Sequence, residues 1–331
     1  SAEKALALSL AAADLDLTQA YLDTAVQVSD AWLDVITARK QKAISDQQVT
    51  TNQTLLSLQK LRFSNGQASA LDVSQQREAL AEAASQAPIL EKQTRLSLNT
   101  LAFLMGSADM ASAVVNTTAL PQAFEIGHPG IPARLLENRP DIRAAQLRLS
   151  AARWDVAAAK ADLYPSLSLT ARALFSAGEL DLLFKNWVAS LAASLAGPIL
   201  DGGKRRAEVG RVRALAQEQA AAYARVVAAA VKAVEDNLVS IQKQAEYVAL
   251  LEEELAVARL TLKDAMLQYR NGKSSYLSYL TAWTAIQRME RQLVSEQAQY
   301  LKYRVSLMSA LGLDPVTGRG ITTQLNQRKK P

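Results

Sequence analysis

Two stretches of alternating residues lie within a chain whose other apolar residues recur with helical spacing. Apolar residues alternate with serine, threonine and arginine in 166–175, and with small residues in 187–196. Because successive side chains on a strand point to opposite faces, each stretch predicts a strand with one apolar face. Ten alternating residues with aromatic residues near the ends are typical of a transmembrane β-strand. A soluble hairpin with one buried face fits the same pattern, which alone favours the soluble form. We therefore predict a β-hairpin over 165–200.

The remaining apolar residues recur at three- and four-residue steps, which indicates long helices. The first stretch contains neither Gly nor Pro before Gly66, and the second is interrupted by Pro88, where we expect a kink. The predicted helices cover residues 1–65, 69–105, 139–163, 204–270 and 275–311. The chain is thus expected to be mainly α, with one β-hairpin.

The two halves of the chain superimpose at an offset of 206 residues, so that Asn65-Gly66 falls on Asn271-Gly272. The side chains at the other aligned positions show little similarity, so the evidence for the repeat is the matching turn residues and the matching helical periodicity. It divides the chain into a first helical pair (1–113), a connecting region (114–138), a second repeat (139–312) and a tail (313–331). Since Ser1 aligns with Ala207, directly after the hairpin, we expect the first repeat to have its own hairpin before Ser1.

Composition excludes several classes of function. The formal charge of +5 is spread along the chain and forms no dense basic face for nucleic acid. The chain has no cysteine and one histidine, His128, in a Gly-His-Pro-Gly loop, so we predict neither a metal site nor a cofactor. No nucleophile–base pair or phosphate-binding loop stands out, and we predict no enzymatic activity.

The predicted elements require partners. A helix of about 60 residues is roughly 90 Å long and cannot be buried by a compact domain. Long helices with apolar residues along one face therefore pack as antiparallel coiled coils, usually with other chains. A single hairpin in lipid leaves unpaired edges, which hydrocarbon does not tolerate. A ring of several chains meets both demands, because its hairpins close a β-barrel that its helices continue as a tube.

Two runs of residues carry a family resemblance. The run 135–145, which includes Arg-Pro-Asp-Ile-Arg at 139–143, and the run 159–167, which includes Tyr-Pro-Ser-Leu at 164–167, resemble the outer-membrane efflux proteins of the TolC superfamily, in its NodT/OprM-type branch. The run Gly-Pro-Ile-Leu-Asp-Gly-Gly at 197–203 is similar to the exit of the second strand in that branch. The resemblance extends from Ser1 to about Gly312 and favours the transmembrane form of the hairpin.

The resemblance implies a homotrimer in the outer membrane of a Gram-negative bacterium. Each chain of such a trimer gives four strands to a twelve-stranded β-barrel, and its helices form an α-barrel in the periplasm. Members of this branch carry a signal peptide and often a lipidated N-terminal cysteine, which we expect in the portion before Ser1.

The resemblance also implies a function and its partners. It predicts a passive exit duct that receives drugs or other small toxic compounds from a periplasmic adaptor and an inner-membrane pump. A structural or scaffold coiled-coil protein with a small β-insert is the alternative, and a lipid-facing band on the hairpin distinguishes the two.

Three groups of site residues follow. On the hairpin, the lipid-facing residues are predicted to be Leu167, Leu169, Leu191 and Leu195, and the lumen-facing residues Ser168, Thr170, Arg172 and Ser190. The adaptor is expected to dock at the two turns, on Asn65, Gly66, Gln67, Ser69, Asn271, Gly272, Lys273 and Ser274. The asparagine and glycine at each turn are explained equally well if they only form the left-handed turn that ends a helix.

The third group is a gate just inside the turns, formed by Asp72, Tyr269, Tyr276, Leu277, Tyr279, Leu280 and Thr281. Many family members place aspartates at the positions of Ser278 and Thr281, so the acidic ring of the family is not expected here. Asp72 and Tyr269 match family positions where a carboxylate–phenol hydrogen bond ties the two helix pairs together. The sequence Ser69-Ala70-Leu71-Asp72 fits a helix-capping box equally well.

Overall fold

The computed structural model describes residues 2–107, 119–122, 138–175, 187–197 and 201–314. The predicted connecting region at 114–138 and the tail at 313–331 therefore lie mostly outside the described residues. The described elements are α1 (Ala2–Ser64), α2 (Ala70–Met105), α3 (Pro140–Ala161), β1 (Ser166–Phe175), β2 (Trp187–Ala196), α4 (Lys204–Arg270) and α5 (Tyr276–Ala310). Each predicted helix and strand is present, with ends within two residues of the predicted ones.

The turns that end α1 and α4 have the same backbone geometry. Gly66 and Gly272 both adopt φ 69°, a left-handed conformation that glycine reaches without steric cost. The amide of Gln67 donates to the Arg62 carbonyl at 2.8 Å, and that of Lys273 donates to the Gln268 carbonyl at 2.8 Å. These residues lie 206 positions apart, so the same local sequence produces the same turn twice.

The two strands form an antiparallel hairpin whose register agrees with the predicted faces. Leu167 lies opposite Leu195 and Ala171 opposite Leu191, so the apolar residues of the two strands share one face. On the other face the hydroxyls of Ser168 and Ser194 are 2.7 Å apart and share a hydrogen bond. This second face is not polar throughout, because Leu174 is paired with Val188 near the far end of the hairpin.

The chain forms two compact units, and each draws on distant parts of the sequence. The first comprises Ser1–Leu17 and Pro140–Ala228, and the second comprises Thr18–Arg139 and Ala229–Pro331. In the first unit, the start of α1 is held to α3 by an ion pair between Asp16 and Arg148. The ammonium of Lys4 also lies 4.7 Å from the ring centroid of Trp154. Ile142 and Ala144 of α3 are fully buried.

The second unit contains separate clusters of apolar side chains along its helices. One cluster joins α1 to α2 through Val35, Ile36 and Leu101, all almost fully buried. Another joins α4 to the end of α5 through Val234 and Leu307. None of the helices in the described residues is long and apolar enough to span a membrane.

Candidate functional site

Three tyrosines pack together beside the two turns. The ring centroids of Tyr269 and Tyr276 are 5.3 Å apart, and those of Tyr276 and Tyr279 are 5.8 Å apart. Ala79 of α2 and Leu280 of α5 complete this cluster. Burial raises the pKa of Tyr276 and Tyr279 above the usual value, so both phenols are neutral at physiological pH.

Hydrogen bonds to buried amides tie this tyrosine cluster to α1 and α2. The hydroxyl of Tyr276 donates to Oε1 of Gln76 on α2. Nε2 of Gln76 in turn donates to the carbonyl and the side-chain oxygen of Asn52 on α1, at 3.1 and 3.0 Å. Gln76 and Asn52 are fully buried. Since a buried polar group is costly when it is left unpaired, this chain of bonds strongly favours one arrangement of the helices.

Tyr269 forms the second link between the helix pairs. Its hydroxyl lies 3.3 Å from the amide of Gln59, and the guanidinium of Arg62 stands over its ring at 4.7 Å from the centroid. Both partners belong to α1. Tyr269 therefore joins the end of α4 to the end of α1 through a hydrogen bond and a cation–π contact.

The expected hydrogen bond between Asp72 and Tyr269 is absent from this structure. The Asp72 carboxylate instead accepts the backbone N–H of Ser69 at 2.8 Å, and the Ser69 hydroxyl accepts the N–H of Asp72 at 3.1 Å. This is the reciprocal capping box that the local sequence also allowed. The carboxylate is used locally to begin α2, and the phenol of Tyr269 bonds to an amide.

The equivalent helix start in the second half lacks this box. Ser275 is the N-cap of α5 but forms no side-chain capping bond. The residue that corresponds to Asp72 is Ser278, whose hydroxyl lies 3.4 Å from that of Ser275. Ser69 and Ser275 thus share an extended backbone conformation before their helices, but only Ser69 forms a side-chain cap.

The predicted gate residues separate into two groups. Tyr276 and Leu280 are buried within this chain, whereas Leu277 and Thr281 are exposed. Thr281 bonds to the carbonyl of Leu277 at 2.9 Å, one turn before it on α5. Leu277 and Thr281 are therefore accessible on the surface of this chain, whereas Tyr276 and Leu280 pack α5 against α2.

The predicted docking residues form two exposed turns. Asn65, Gly66 and Gln67 are exposed, as are Asn271, Gly272 and Lys273. Ser69 is also exposed but is committed to capping α2, and Ser274 is half-buried.

A buried polar seam along α1 was missed by the sequence analysis. Nε2 of Gln48 donates to the carbonyl of Gln287 at 3.0 Å, and Oε1 of Gln48 accepts from Arg291. Gln41 donates to the hydroxyl of Ser295 at 2.7 Å. The sequence did contain a signal for these buried polar residues. After Val35, the positions that continue the helical spacing of the apolar residues are occupied by Gln41, Ser45, Gln48, Asn52 and Gln59.

The hairpin presents its apolar face without cover from the rest of the described chain. Its predicted lipid-facing leucines, Leu167, Leu169, Leu191 and Leu195, are each at least 70% exposed. Arg172 is exposed on the opposite face, paired with Ser190. Within the described residues, no group of three or more acidic, histidine or cysteine side chains is placed to hold a metal ion.

Comparison with known proteins identifies the family. Residues 3–107 and 131–313 match the model of the outer membrane efflux protein family. The chain belongs to this family. The family membership predicted from the runs at 135–145 and 159–167 is thereby confirmed, and the chain is grouped with proteins of the outer membrane.

Its relatives include two proteins of Pseudomonas aeruginosa. The chain is 30% identical over 304 residues to the pyoverdine export outer membrane protein OpmQ, with 92% of this chain and 64% of the relative covered. It is also 30% identical over 313 residues to the outer membrane protein OprJ, with 91% and 64% covered. The chain thus spans slightly less than two thirds of the length of these relatives.

A solved structure shares the fold. The crystal structure of a membrane protein from Pseudomonas aeruginosa superimposes with a TM-score of 0.86 at 28% identity, covering 94% of this chain and 72% of that one. The predicted architecture of long helices with a hairpin insert is therefore the fold of this family.

Proposed function

We propose that this chain belongs to an outer-membrane exit duct of a tripartite efflux system. The duct passively conducts drugs or other small toxic compounds, and it receives them from a periplasmic adaptor and an inner-membrane pump. The observation that carries this proposal is the hairpin, whose two strands place exposed leucines on one continuous face. A scaffold protein has no use for such a face, whereas a barrel in lipid requires it.

Closure of the barrel requires further strands. The described sheet has two strands, β1 and β2, so each has one edge without a partner in the described chain. Because lipid cannot satisfy the free backbone groups of an edge, we propose that three chains close a twelve-stranded barrel with four strands each. The turns at Gly66 and Gly272, which share the same left-handed glycine conformation, support an internal duplication.

The helices offer apolar faces for the other chains of a trimer. On α2, Ile89, Leu96 and Phe103 recur every seven residues and are exposed, with Phe103 at 84%. On α4, exposed Leu250 and Val257 have the same spacing. Since apolar residues repeating every seven positions form coiled-coil contacts, these faces fit neighbouring helices of a periplasmic α-barrel.

The exposed turns and the exposed side chains just inside them complete the duct. We propose that Asn65–Gln67 and Asn271–Lys273 face the adaptor, while Leu277 and Thr281 narrow the tunnel when no pump is engaged. The hydrogen bonds of Tyr269 to α1 and of Tyr276 to α2 support a closed arrangement of the helix pairs. No step in this function requires chemistry by the chain, so we propose a role without catalysis.

The test is to produce the protein in a Gram-negative host that lacks its own duct. The protein is expected in the outer-membrane fraction as a detergent-stable trimer, and it should restore drug resistance when its adaptor and pump are present. A monomeric protein that remains in the aqueous fraction would overturn the proposal. A trimer in the membrane that gives no resistance with any adaptor would overturn the efflux role alone.

A further inference from the structure

A groove between α1 and α5 shows how the two helical pairs, α1 with α2 and α4 with α5, meet within one chain. It has a volume of about 330 Å³, and Trp283 of α5 lines it together with Ile44, Gln47, Gln48 and Thr51 of α1. Trp283, Ile44, Gln48 and Thr51 are buried or half-buried there. The side of α5 that carries Trp283 therefore packs against the side of α1 that carries Gln48.

The offset of 206 residues that relates the two halves of the sequence gives each of these residues an equivalent. Trp283 corresponds to Arg77 on α2. The four residues of α1 correspond, in the same order, to Leu250, Glu253, Glu254 and Val257 on α4. All five equivalents are exposed, Leu250 at 63% and Val257 at 56%. The two surfaces that meet at the groove thus have equivalents that nothing in the described chain covers.

These two uncovered surfaces carry opposite charges. Neither Arg77 nor the two glutamates form an ion pair among the described residues. Because residues three and four positions apart share a face of a helix, Leu250, Glu253, Glu254 and Val257 form one face of α4. An arginine placed against this face offers its guanidinium to the carboxylates and its methylene groups to the apolar side chains.

Other contacts between the helical pairs have apolar equivalents on the exposed side. Within the chain, Tyr269 and Ser295 both bond to side-chain amides of α1. Their equivalents in the first pair are Phe63 and Ile89, which are 50% and 52% exposed. Exposed apolar side chains at these positions favour association, because a partner that covers them removes apolar area from water.

We propose that the surface of α2 around Arg77 packs against the face of α4 formed by Leu250, Glu253, Glu254 and Val257 in a second copy of the chain. The inference rests on the proposed function and names the surfaces through which the proposed trimer assembles. Because the two surfaces differ, the contact is head-to-tail, and each chain uses one surface for each neighbour. The contact repeats between chains the packing of α5 on α1, so that three chains close a ring of six helical pairs.

Crosslinking of the intact, detergent-extracted protein tests this proposal. The chain has no cysteine, so the introduced thiols are the ones that react. Treated with a short bismaleimide, Arg77→Cys/Leu250→Cys should give covalent dimers and trimers and no larger species, because a closed ring ends at three chains. Each single variant should remain a monomer on denaturing electrophoresis. The matched control Ile44→Cys/Trp283→Cys places thiols at the equivalent positions in the groove and should crosslink within one chain, which leaves a monomer of altered mobility.

Charge reversal tests the same contact without a crosslinker. Arg77→Glu should lower the yield of trimer about tenfold, because like charges then face each other across the contact. Arg77→Glu/Glu253→Arg/Glu254→Arg restores opposite charges and should recover the yield. The matched control is Lys263→Glu on α4, whose equivalent Ser57 stays exposed within the chain, and it should leave the yield unchanged.

The other outcomes would overturn the proposal. Crosslinked dimers of Arg77→Cys alone would show that like surfaces meet, and species larger than trimers would show an open series of copies. Equal losses in Arg77→Glu and Lys263→Glu would show that the charge at Arg77 has no partner in a second copy. An outer-membrane trimer in which only the control pair crosslinks overturns this inference alone, whereas a protein absent from the outer membrane overturns the proposed function as well.

Discussion

The bond between Tyr276 and Gln76 joins two buried polar groups that are 200 residues apart in the chain. Its strength comes from the absence of water, because without it the hydroxyl of Tyr276 or the Oε1 atom of Gln76 would be buried without a hydrogen-bond partner. We expect Tyr276→Phe to lower the free energy of unfolding by about 1–3 kcal/mol, since the amide oxygen of Gln76 then lacks its donor. Thermal unfolding in detergent measures the change, and Tyr21→Phe, at a 66% exposed position, serves as the control.

A double-mutant cycle separates this bond from simple packing. If the phenol and the amide are bonded, Tyr276→Phe/Gln76→Leu should be less destabilised than the sum of the single variants, with a coupling of about 0.5–3 kcal/mol. Strictly additive losses would show that the hydroxyl contributes nothing through Gln76.

The cap at Asp72 provides a second prediction. Asp72→Ala removes the acceptor for the Ser69 N–H and should lower stability by about 0.3–1.5 kcal/mol without changing single-channel conductance. The reciprocal change Ser278→Asp supplies the missing acceptor at the start of α5 and should raise stability by a similar amount. If Asp72→Ala raises the conductance and leaves the stability unchanged, the carboxylate of Asp72 acts in the gate and not as a helix cap.

Asp30 is a half-buried carboxylate whose charge is unfavourable in the folded state. One of its oxygens is buried without a hydrogen bond, and desolvation raises the pKa of its carboxyl although Lys302 opposes the shift. A raised folded pKa stabilises the protein below the unfolded value, and this contribution is lost as pH rises through the folded value. We therefore expect Asp30→Asn to be more stable than the wild type at pH 7, with the difference disappearing in acid. Melting temperatures measured from pH 3 to pH 8 test this, and a pH-independent difference would contradict it.

At the scale of the element, the hairpin makes the sharpest prediction. Leu169 and Leu191 lie on the exposed apolar face, and Thr170 lies between them in register on the other face. Arginine on a lipid-facing position near the bilayer midplane costs about 2–4 kcal/mol, whereas arginine in the lumen is hydrated. Leu169→Arg and Leu191→Arg should therefore reduce the amount of trimer in the outer membrane far more than Thr170→Arg. Equal effects at all three positions, measured by heat-modified electrophoresis of membrane fractions, would refute the face assignment.

The elements show which parts of this fold a sequence determines locally. The ends of α1 and α4 were predictable because Asn-Gly supplies a left-handed glycine at each turn, and the strand faces followed from strict alternation. The buried amides of Gln48, Asn52 and Gln76 were not predictable, because their partners are separated from them by 24 to 243 residues. The two possible uses of Asp72 were likewise equivalent in sequence, and the backbone geometry at Ser69 decided between them.

At the scale of the whole molecule, the distribution of polar and apolar contacts has a consistent pattern. Inside the second unit, α1 bonds to α5 through amides, an arginine and the ion pair of Asp34 with Lys302, at 2.6 Å. Exposed positions of α2 and α4 instead repeat apolar residues every seven positions. Buried polar residues in coiled coils fix register at a cost in stability, whereas apolar repeats supply association. We therefore infer that the polar contacts within one chain set the register of its helices, and that the exposed apolar repeats are the surfaces available to the other chains of the proposed trimer.

The proposed docking of an adaptor at the two turns can be tested by substitution. Gln67 and Lys273 are exposed at equivalent positions, and they close the ends of α1 and α4 through their backbone amides and not their side chains, so bulky replacements there should leave the fold intact. We expect Gln67→Trp/Lys273→Trp to reduce the affinity for the adaptor about tenfold, equivalent to about 1.4 kcal/mol, because the indoles prevent close approach. In vivo crosslinking to the adaptor and drug resistance are the measurements, with Arg95→Trp, an exposed position of α2 about 100° around the helix from Leu96, as the matched control. Ser69 is unsuitable for this test, since its replacement would also remove the cap of α2. Unchanged crosslinking in the double variant, with trimer levels equal to the control, would place the docking surface away from the turns.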